Sequence, residues 1–183
     1  MQVVIFLEEE SARALLQELL PRLFPDCSFR YIVFEGKQDL EKQLVGKLRG
    51  WRQPGCRFVV LRDRDAGDWQ LIKAHLATLC QESGKEDVLI RIACRELESW
   101  YLGDLDAVAK ALDVNVAPSM QNRRGFRHPD ALDNPVQELV RLAPHYQKVA
   151  GSRAMGKVMG GQKNRSCSFN VFLSGIGRMC QAT

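Results

Sequence analysis

The sequence predicts an α/β fold: a mainly parallel four-stranded sheet between helices, with a small C-terminal helical extension. Two observations carry this prediction. Over the first hundred residues, short runs rich in β-branched residues alternate with helix-period apolar stripes in the order β-α-β-α-β-α-β, with connections long enough for right-handed crossovers. From Asp104 onward the pattern changes to helical segments broken by a long polar stretch. A chain of 183 residues suffices for one well-buried core with an appendage. We therefore expect residues 1–103 to form the core and residues 104–183 a basic helical extension packed on it.

Residues 3–7 (Val-Val-Ile-Phe-Leu) form a continuous apolar run, which suits a central strand covered on both faces. It ends in Glu8-Glu9-Glu10. A helical stripe follows at Ala12, Leu15, Leu16, Leu19, Leu20 and Leu23, with Pro21 and Pro25 expected to close it. Residues 31–34 read as a second strand stopped by Gly36, and Leu40, Leu44, Leu48 and Trp51 repeat at helical spacing. Pro54-Gly55 turns the chain into a third strand at residues 58–61, which stops at Asp63 and Asp65. Asp68 suits the N-cap of a third helix with a buried stripe of Ile72, His75, Leu76, Leu79 and Cys80, where His75 is expected to be packed rather than catalytic. Residues 88–93 form a fourth strand that runs into residues 94–102.

Leu105, Val108, Ala109 and Leu112 continue one helix. Residues 113–134 are dense in Asn, Pro, Gly and Asp, and a loop of that length is usually functional or mobile. Asn134-Pro135-Val136-Gln137 has the cap, first-turn proline and Gln of a helix start. Two short helices should follow, with Gly160-Gly161 between them and Ser168 as a cap.

The longest early apolar run, residues 3–7, is too short for the apolar region of a secretory signal and precedes three glutamates, so the chain reads as cytoplasmic and not membrane-bound. Cys27, Cys56, Cys80, Cys94, Cys167 and Cys180 include no Cys-x-x-Cys pair, so they read as reduced thiols rather than a disulfide frame or a zinc site. The net charge of +4 is unevenly spread: residues 1–103 carry 15 Lys+Arg against 16 Asp+Glu, and residues 104–183 carry 11 against 6. No acidic residue follows Glu138. That asymmetry suits either a solvated basic face or a phosphate-rich partner.

Three acidic groups stand immediately after three strands: Glu8 to Glu10, Asp63 with Asp65, and Glu96 with Glu98. In a parallel sheet the strand ends share one edge, so these groups can meet in one crevice. Close carboxylates repel, and a divalent cation relieves that repulsion. The competing reading makes Asp63 a turn residue, Asp68 a cap, Asp65 solvated, and Glu96 and Glu98 a salt-bridged helix start beside Arg91 and Arg95. If strand geometry continues, Glu96 and Glu98 point to one side; if a helix has begun, they diverge by about 200° and only one can serve. Residues 151–158 match the spacing of a phosphate-binding loop, but Val158 replaces the required Ser or Thr and no strand precedes them, so Lys157 belongs to the basic tail. Trp100 and Tyr101 suit core packing better than base stacking.

A Glu after the first strand, Asp-x-Asp after the third and this element order resemble the toprim domain of topoisomerases, primases and overcoming-lysogenization-defect-type nucleases. The chain is more closely similar to a toprim-like bacterial family of unknown function, domain-of-unknown-function family 4276. Arg95-Glu96-Leu97-Glu98-Ser99-Trp100-Tyr101-Leu102-Gly103-Asp104 is its most specific match, and Tyr146-Gln147-Lys148, Gly151 and Ser166-Cys167-Ser168-Phe169 are similar to its C-terminal segment. The chain departs from the pattern at Glu9, where Gly is usual, which leaves open whether Glu8, Glu9 or Glu10 faces a metal. Glu8, first past the strand, is favoured.

The resemblance implies Mg²⁺- or Mn²⁺-dependent phosphoryl transfer on DNA or RNA, with Asp63 and Asp65 holding metal, Glu8 a ligand or base, and Glu96 or Glu98 completing a second site. It also implies an ATPase partner and a role in phage defence. Arg123, Arg124, Arg127, Lys148, Arg153, Lys157, Lys163 and Arg165 would guide a nucleic-acid backbone past acids that alone repel it. Two other classes stay open: a non-catalytic regulatory or nucleic-acid-binding subunit, and an α/β ligand-binding or signalling module.

Overall fold

The computed structural model describes residues 1–85 and 87–181. Strands β1 (Gln2–Leu7), β2 (Ser28–Val33), β3 (Cys56–Asp63) and β4 (Val88–Ala93) form an all-parallel sheet in the order β2-β1-β3-β4. Helices α1 (Glu10–Leu23), α2 (Lys37–Arg49) and α3 (Trp69–Glu82) make the crossovers. β1 is central and apolar throughout because both of its faces are covered. Val3, Ile5 and Leu7 join Leu15, Leu16, Leu19 and Leu20 of α1 in one buried cluster. Val4 and Phe6 join Leu40, Leu44 and Leu48 of α2 and Leu76 and Cys80 of α3 in the other.

The chain continues as α4 (Glu98–Leu102), α5 (Leu105–Ala111), α6 (Arg124–Arg127), α7 (Pro135–Leu142), α8 (Lys148–Val158) and α9 (Cys167–Gln181). Helices α8 and α9 lie on the α1 side, where Met155, Phe169, Phe172 and Ile176 belong to the same buried cluster as α1. Glycine decides how α8 docks, because a Cβ at Gly156 would overlap the Leu15 carbonyl of α1 and one at Gly151 would overlap the Tyr146 ring. The glycines that mimic a phosphate-binding loop are thus close-approach sites within a helix.

Several local expectations are corrected. α1 runs two residues past Pro21 and closes with the Phe24 N–H donating to the Leu20 carbonyl. α3 packs on the flank of the sheet, so its fully buried stripe narrows to Leu76 and Cys80, and His75 is exposed with Nε2 3.6 Å from Glu41 Oε2. The helix expected to continue through Leu105 breaks at Gly103, and Asp104 accepts from the Ala107 N–H to cap α5. Ser166, not Ser168, caps α9: its Oγ accepts from the Phe169 N–H and donates to Asp130. Cys27 and Cys180 are joined in a disulfide, against the expectation of reduced thiols, because the end of α9 packs beside the start of β2.

The segment 113–134 is tied down by its polar side chains. Gln121 accepts from the Leu105 N–H and donates to the Leu102 and Phe126 carbonyls, and Asp130 accepts from the Ser168 N–H. Among the described residues, no helix is long and apolar enough to cross a membrane.

Candidate functional site

The strand order reverses between β1 and β3, since α1 leaves β1 on one face of the sheet and α3 leaves β3 on the other. A crevice opens at such a switch point beyond the carboxyl ends of the strands. β1 stops at Leu7, paired with Leu61, whereas β3 runs on to Asp63 against β4. The Asp63 N–H therefore faces past the end of β1 with no ladder partner. The side chain of Glu8 supplies the acceptor, with Oε2 3.3 Å from the Asp63 nitrogen. Of the three glutamates, Glu8 is the one bonded to the Asp63 backbone. Glu10 instead pairs with Arg13 on the surface, and Glu9 binds Ser11 Oγ at 2.6 Å and Lys148 Nζ at 2.8 Å.

Beyond Asp63 the chain turns sharply. Asp65 has φ 53° and Arg95 φ 63°, an uncommon conformation for non-glycine residues that the packing here holds in place. The two turns brace each other: the Asp65 N–H donates to the Arg95 carbonyl at 2.9 Å, and Arg95 Nη2 reaches Asp133 at 2.6 Å. The Asp65 carboxylate meets Lys37 Nζ at 2.7 Å. A helix has begun at Glu98, so Glu98 and Glu96 diverge. Glu98 is 1% exposed, with Oε1 accepting from the Tyr146 hydroxyl at 2.9 Å and Oε2 buried without a hydrogen bond. Glu96 is half-buried and its charge is felt at Glu98.

These acids act on one another electrostatically. Burial, then the charges of Glu8, Glu9 and Glu98, hold the Asp63 carboxyl well above the usual carboxylate range, with Lys148 pulling the other way. Burial raises Glu8, opposed by the Asp63 N–H and reinforced by Asp65. Burial also raises Glu98 against the pull of Lys148 and Tyr146. Desolvation acts to lower Lys148, but its bond to Glu9 and the charges of Glu9, Glu98 and Asp63 hold its ammonium above the ordinary value. Asp63 is thus coupled to both Glu8 and Glu98, with Lys148 the cation that acts on Asp63 and Glu98 and Arg62 the one that acts on Glu8.

Glu8, Asp63 and Glu98 offer oxygen donors only, the kind a hard cation such as Mg²⁺ or Mn²⁺ takes, and Glu98 Oε2 is buried without a hydrogen bond. Among the described residues, no group of three or more His, Cys, Asp or Glu side chains is itself arranged to hold a metal ion. Mg²⁺ does not require one, because it commonly takes one or two carboxylates and completes its shell with water and phosphate oxygens.

The residues expected to contact nucleic acid, Arg123, Arg124, Arg127, Lys148, Arg153, Lys157, Lys163 and Arg165, are all exposed. Lys148 alone of these pairs with an acid beside the crevice. Arg127 and Arg165 donate to the carbonyls of Asn122 and Gln121. Trp100 and Tyr101 are fully buried core residues, with Trp100 packed between Phe169 and Phe172 and the Tyr101 hydroxyl donating to Ser152 Oγ at 2.7 Å. Sequence reasoning missed Tyr146 as a partner of Glu98 and Lys148 as a member of the acidic site. The Tyr146-Gln147-Lys148 run was the available signal.

The fold is toprim-like α/β, a four-stranded parallel sheet flanked by helices. The structure is similar to the C-terminal region of the Burkholderia pseudomallei OLD protein, with a TM-score of 0.58 and 17% identity over 98% of this chain and 97% of that one. It is also similar to the C-terminal region of the Xanthomonas campestris pv. campestris OLD protein, with a TM-score of 0.57 and 13% identity over 98% and 95%. The chain belongs to the family described as Domain of unknown function (DUF4276), whose model matches residues 7–177. No curated protein matches it.

Proposed function

We propose that the chain is a Mg²⁺- or Mn²⁺-dependent phosphodiesterase of toprim type that cleaves DNA or RNA. The observation that carries this reading is that Glu8 bonds the Asp63 N–H at 3.3 Å beyond the end of β1, while the charges of Glu8, Glu98 and Lys148 all act on the Asp63 carboxyl. Glu8, Asp63 and Glu98 would hold the cation, with Asp65 joining on release from Lys37. Bound there, a divalent cation polarises a phosphoryl oxygen and stabilises the charge of in-line displacement.

The chain's own groups do the remaining work. Lys148 offers an ammonium to the phosphate as negative charge builds on its oxygens. Tyr146 fixes the rotamer of Glu98 through its hydroxyl. Glu8 is held by the Asp63 N–H in position to receive a proton from an attacking water. Arg123, Arg124, Arg127, Arg153, Lys157, Lys163 and Arg165, on residues 104–183, supply the positive surface that draws a phosphate backbone towards the acidic part of residues 1–103.

In this reading an ATPase partner gates access, as befits a phage-defence effector. The chain works in the cytoplasm, where the reducing poise would open the bond between Cys27 and Cys180. The Lys37–Asp65 pair at 2.7 Å favours a second reading, in which the site is kept closed and the chain is a non-catalytic regulatory subunit. Incubation with DNA and RNA in Mg²⁺ or Mn²⁺, alone and with an ATPase encoded beside it, decides between them. Cleavage that disappears in Asp63→Asn supports the enzyme. No cleavage under any of these conditions supports the regulatory subunit.

A further inference from the structure

Arg62 stands one residue before Asp63 with its side chain on the α2 side of the sheet. It is almost buried, its side chain being 10% exposed. Two carboxylates compete for its guanidinium. Nη1 lies 2.9 Å from Glu41 Oε1 on α2, whereas Nε lies 3.9 Å from Glu8 Oε2, beyond hydrogen-bond reach, and is buried without a hydrogen-bond partner. The other Glu41 oxygen, Oε2, lies 3.6 Å from His75 Nε2, likewise beyond hydrogen-bond reach. Glu8 Oε2 meanwhile takes the Asp63 N–H.

The guanidinium fork is rigid, so engaging Glu41 through Nη1 sets where Nε points. A shift of about 1 Å would close the gap to Glu8 and satisfy the unbonded Nε. A charge-assisted bond of that kind would set the guanidinium charge directly against the Glu8 carboxylate, which would then attract a cation less. The position of Arg62 therefore sets how strongly Glu8 can attract a cation.

We propose that Glu41 parks Arg62, holding its guanidinium off Glu8 so that the Glu8 carboxylate stays open to a divalent cation. Arg62 is then a positioning residue for the cation site and Glu41 its anchor. The proposal rests on the metal reading of the crevice.

The test has two arms. In the metal-free protein, ¹H–¹⁵N spectra follow the Arg62 Nε–H, assigned with Arg62→Met. Glu41→Gln should move this proton downfield and slow its exchange as Nε reaches Glu8, and adding Glu8→Gln should remove the change. An Arg62 signal that Glu41→Gln leaves in place overturns the proposal. In the second arm, Mn²⁺ binding is measured by calorimetry. Glu41→Gln should weaken it by about tenfold, the low end of couplings between close charges, and the loss should vanish in Glu41→Gln/Arg62→Gln. An equal loss with and without Arg62 means that Glu41 acts through its charge alone and also overturns the proposal. If wild-type protein takes up no Mn²⁺, the metal reading fails, and the first arm still decides whether Glu41 holds Arg62 off Glu8.

Discussion

Asp63 concentrates the electrostatic strain of the molecule. Burial and three neighbouring glutamates raise its carboxyl, so removing its charge should relieve the metal-free protein rather than harm it. Asp63→Asn is expected to abolish metal-dependent cleavage while leaving the metal-free melting temperature unchanged or a few degrees higher, as differential scanning calorimetry would show. The pH dependence has a definite sign. Glu8, Asp63 and Glu98 all have raised values in the folded state, so it binds protons more tightly than the unfolded chain does. The stability they contribute is complete below the ordinary carboxylate range near about pH 4 and is lost as pH rises through their raised values. Metal-free melting curves should therefore decline with pH more steeply for wild type than for Asp63→Asn over that window. A steeper decline in the variant contradicts the assignment. Tyr146→Phe should cost about 1–3 kcal/mol by leaving a buried carboxylate without its donor.

Among the elements, α8 gives the sharpest packing test. Gly156→Ala must push α8 from the Leu15 carbonyl of α1, and overpacking of this kind costs about 1–3 kcal/mol, measurable by urea unfolding. Much at this scale was legible in the sequence. The β1 run was apolar because both faces are covered, and residues 88–93 form β4 with the expected bounds because turns flank an unbroken apolar run. The break between α4 and α5 was not legible, since Leu105 and Val108 keep the helical period across it and only the close approach of Asn164 to Gly103 requires the turn. The pairing of Cys27 with Cys180 was equally hidden, because 153 residues separate the two. The acids of the candidate site could be grouped from the sequence because parallel strands put their ends on one edge. Lys148 read as part of a basic tail, and its contact with Glu9 spans 139 residues and depends on how α8 lies against α1.

For the whole molecule, the proposed function gives the division of charge its role. If the chain takes a phosphate backbone, acids on residues 1–103 would repel it unless the basic residues of 104–183 offset them. Each phosphate contact contributes about one unit to the log–log salt slope, so reversing Arg123 and Arg124 to Glu should flatten that slope by roughly two. The effect should be similar for unrelated sequences, because such contacts position the backbone without reading bases. An unchanged slope would assign this loop to a protein partner instead.

The central claim is that the switch-point carboxylates form a divalent-cation site. Its most direct test is anomalous diffraction from Mn²⁺-soaked crystals of the wild-type protein and of Asp63→Asn. The account predicts a Mn²⁺ peak in contact with Asp63 and with Glu8 or Glu98, directly or through one water, that is lost in Asp63→Asn. A crevice without a peak at saturating Mn²⁺, or a peak that survives Asp63→Asn, would contradict it.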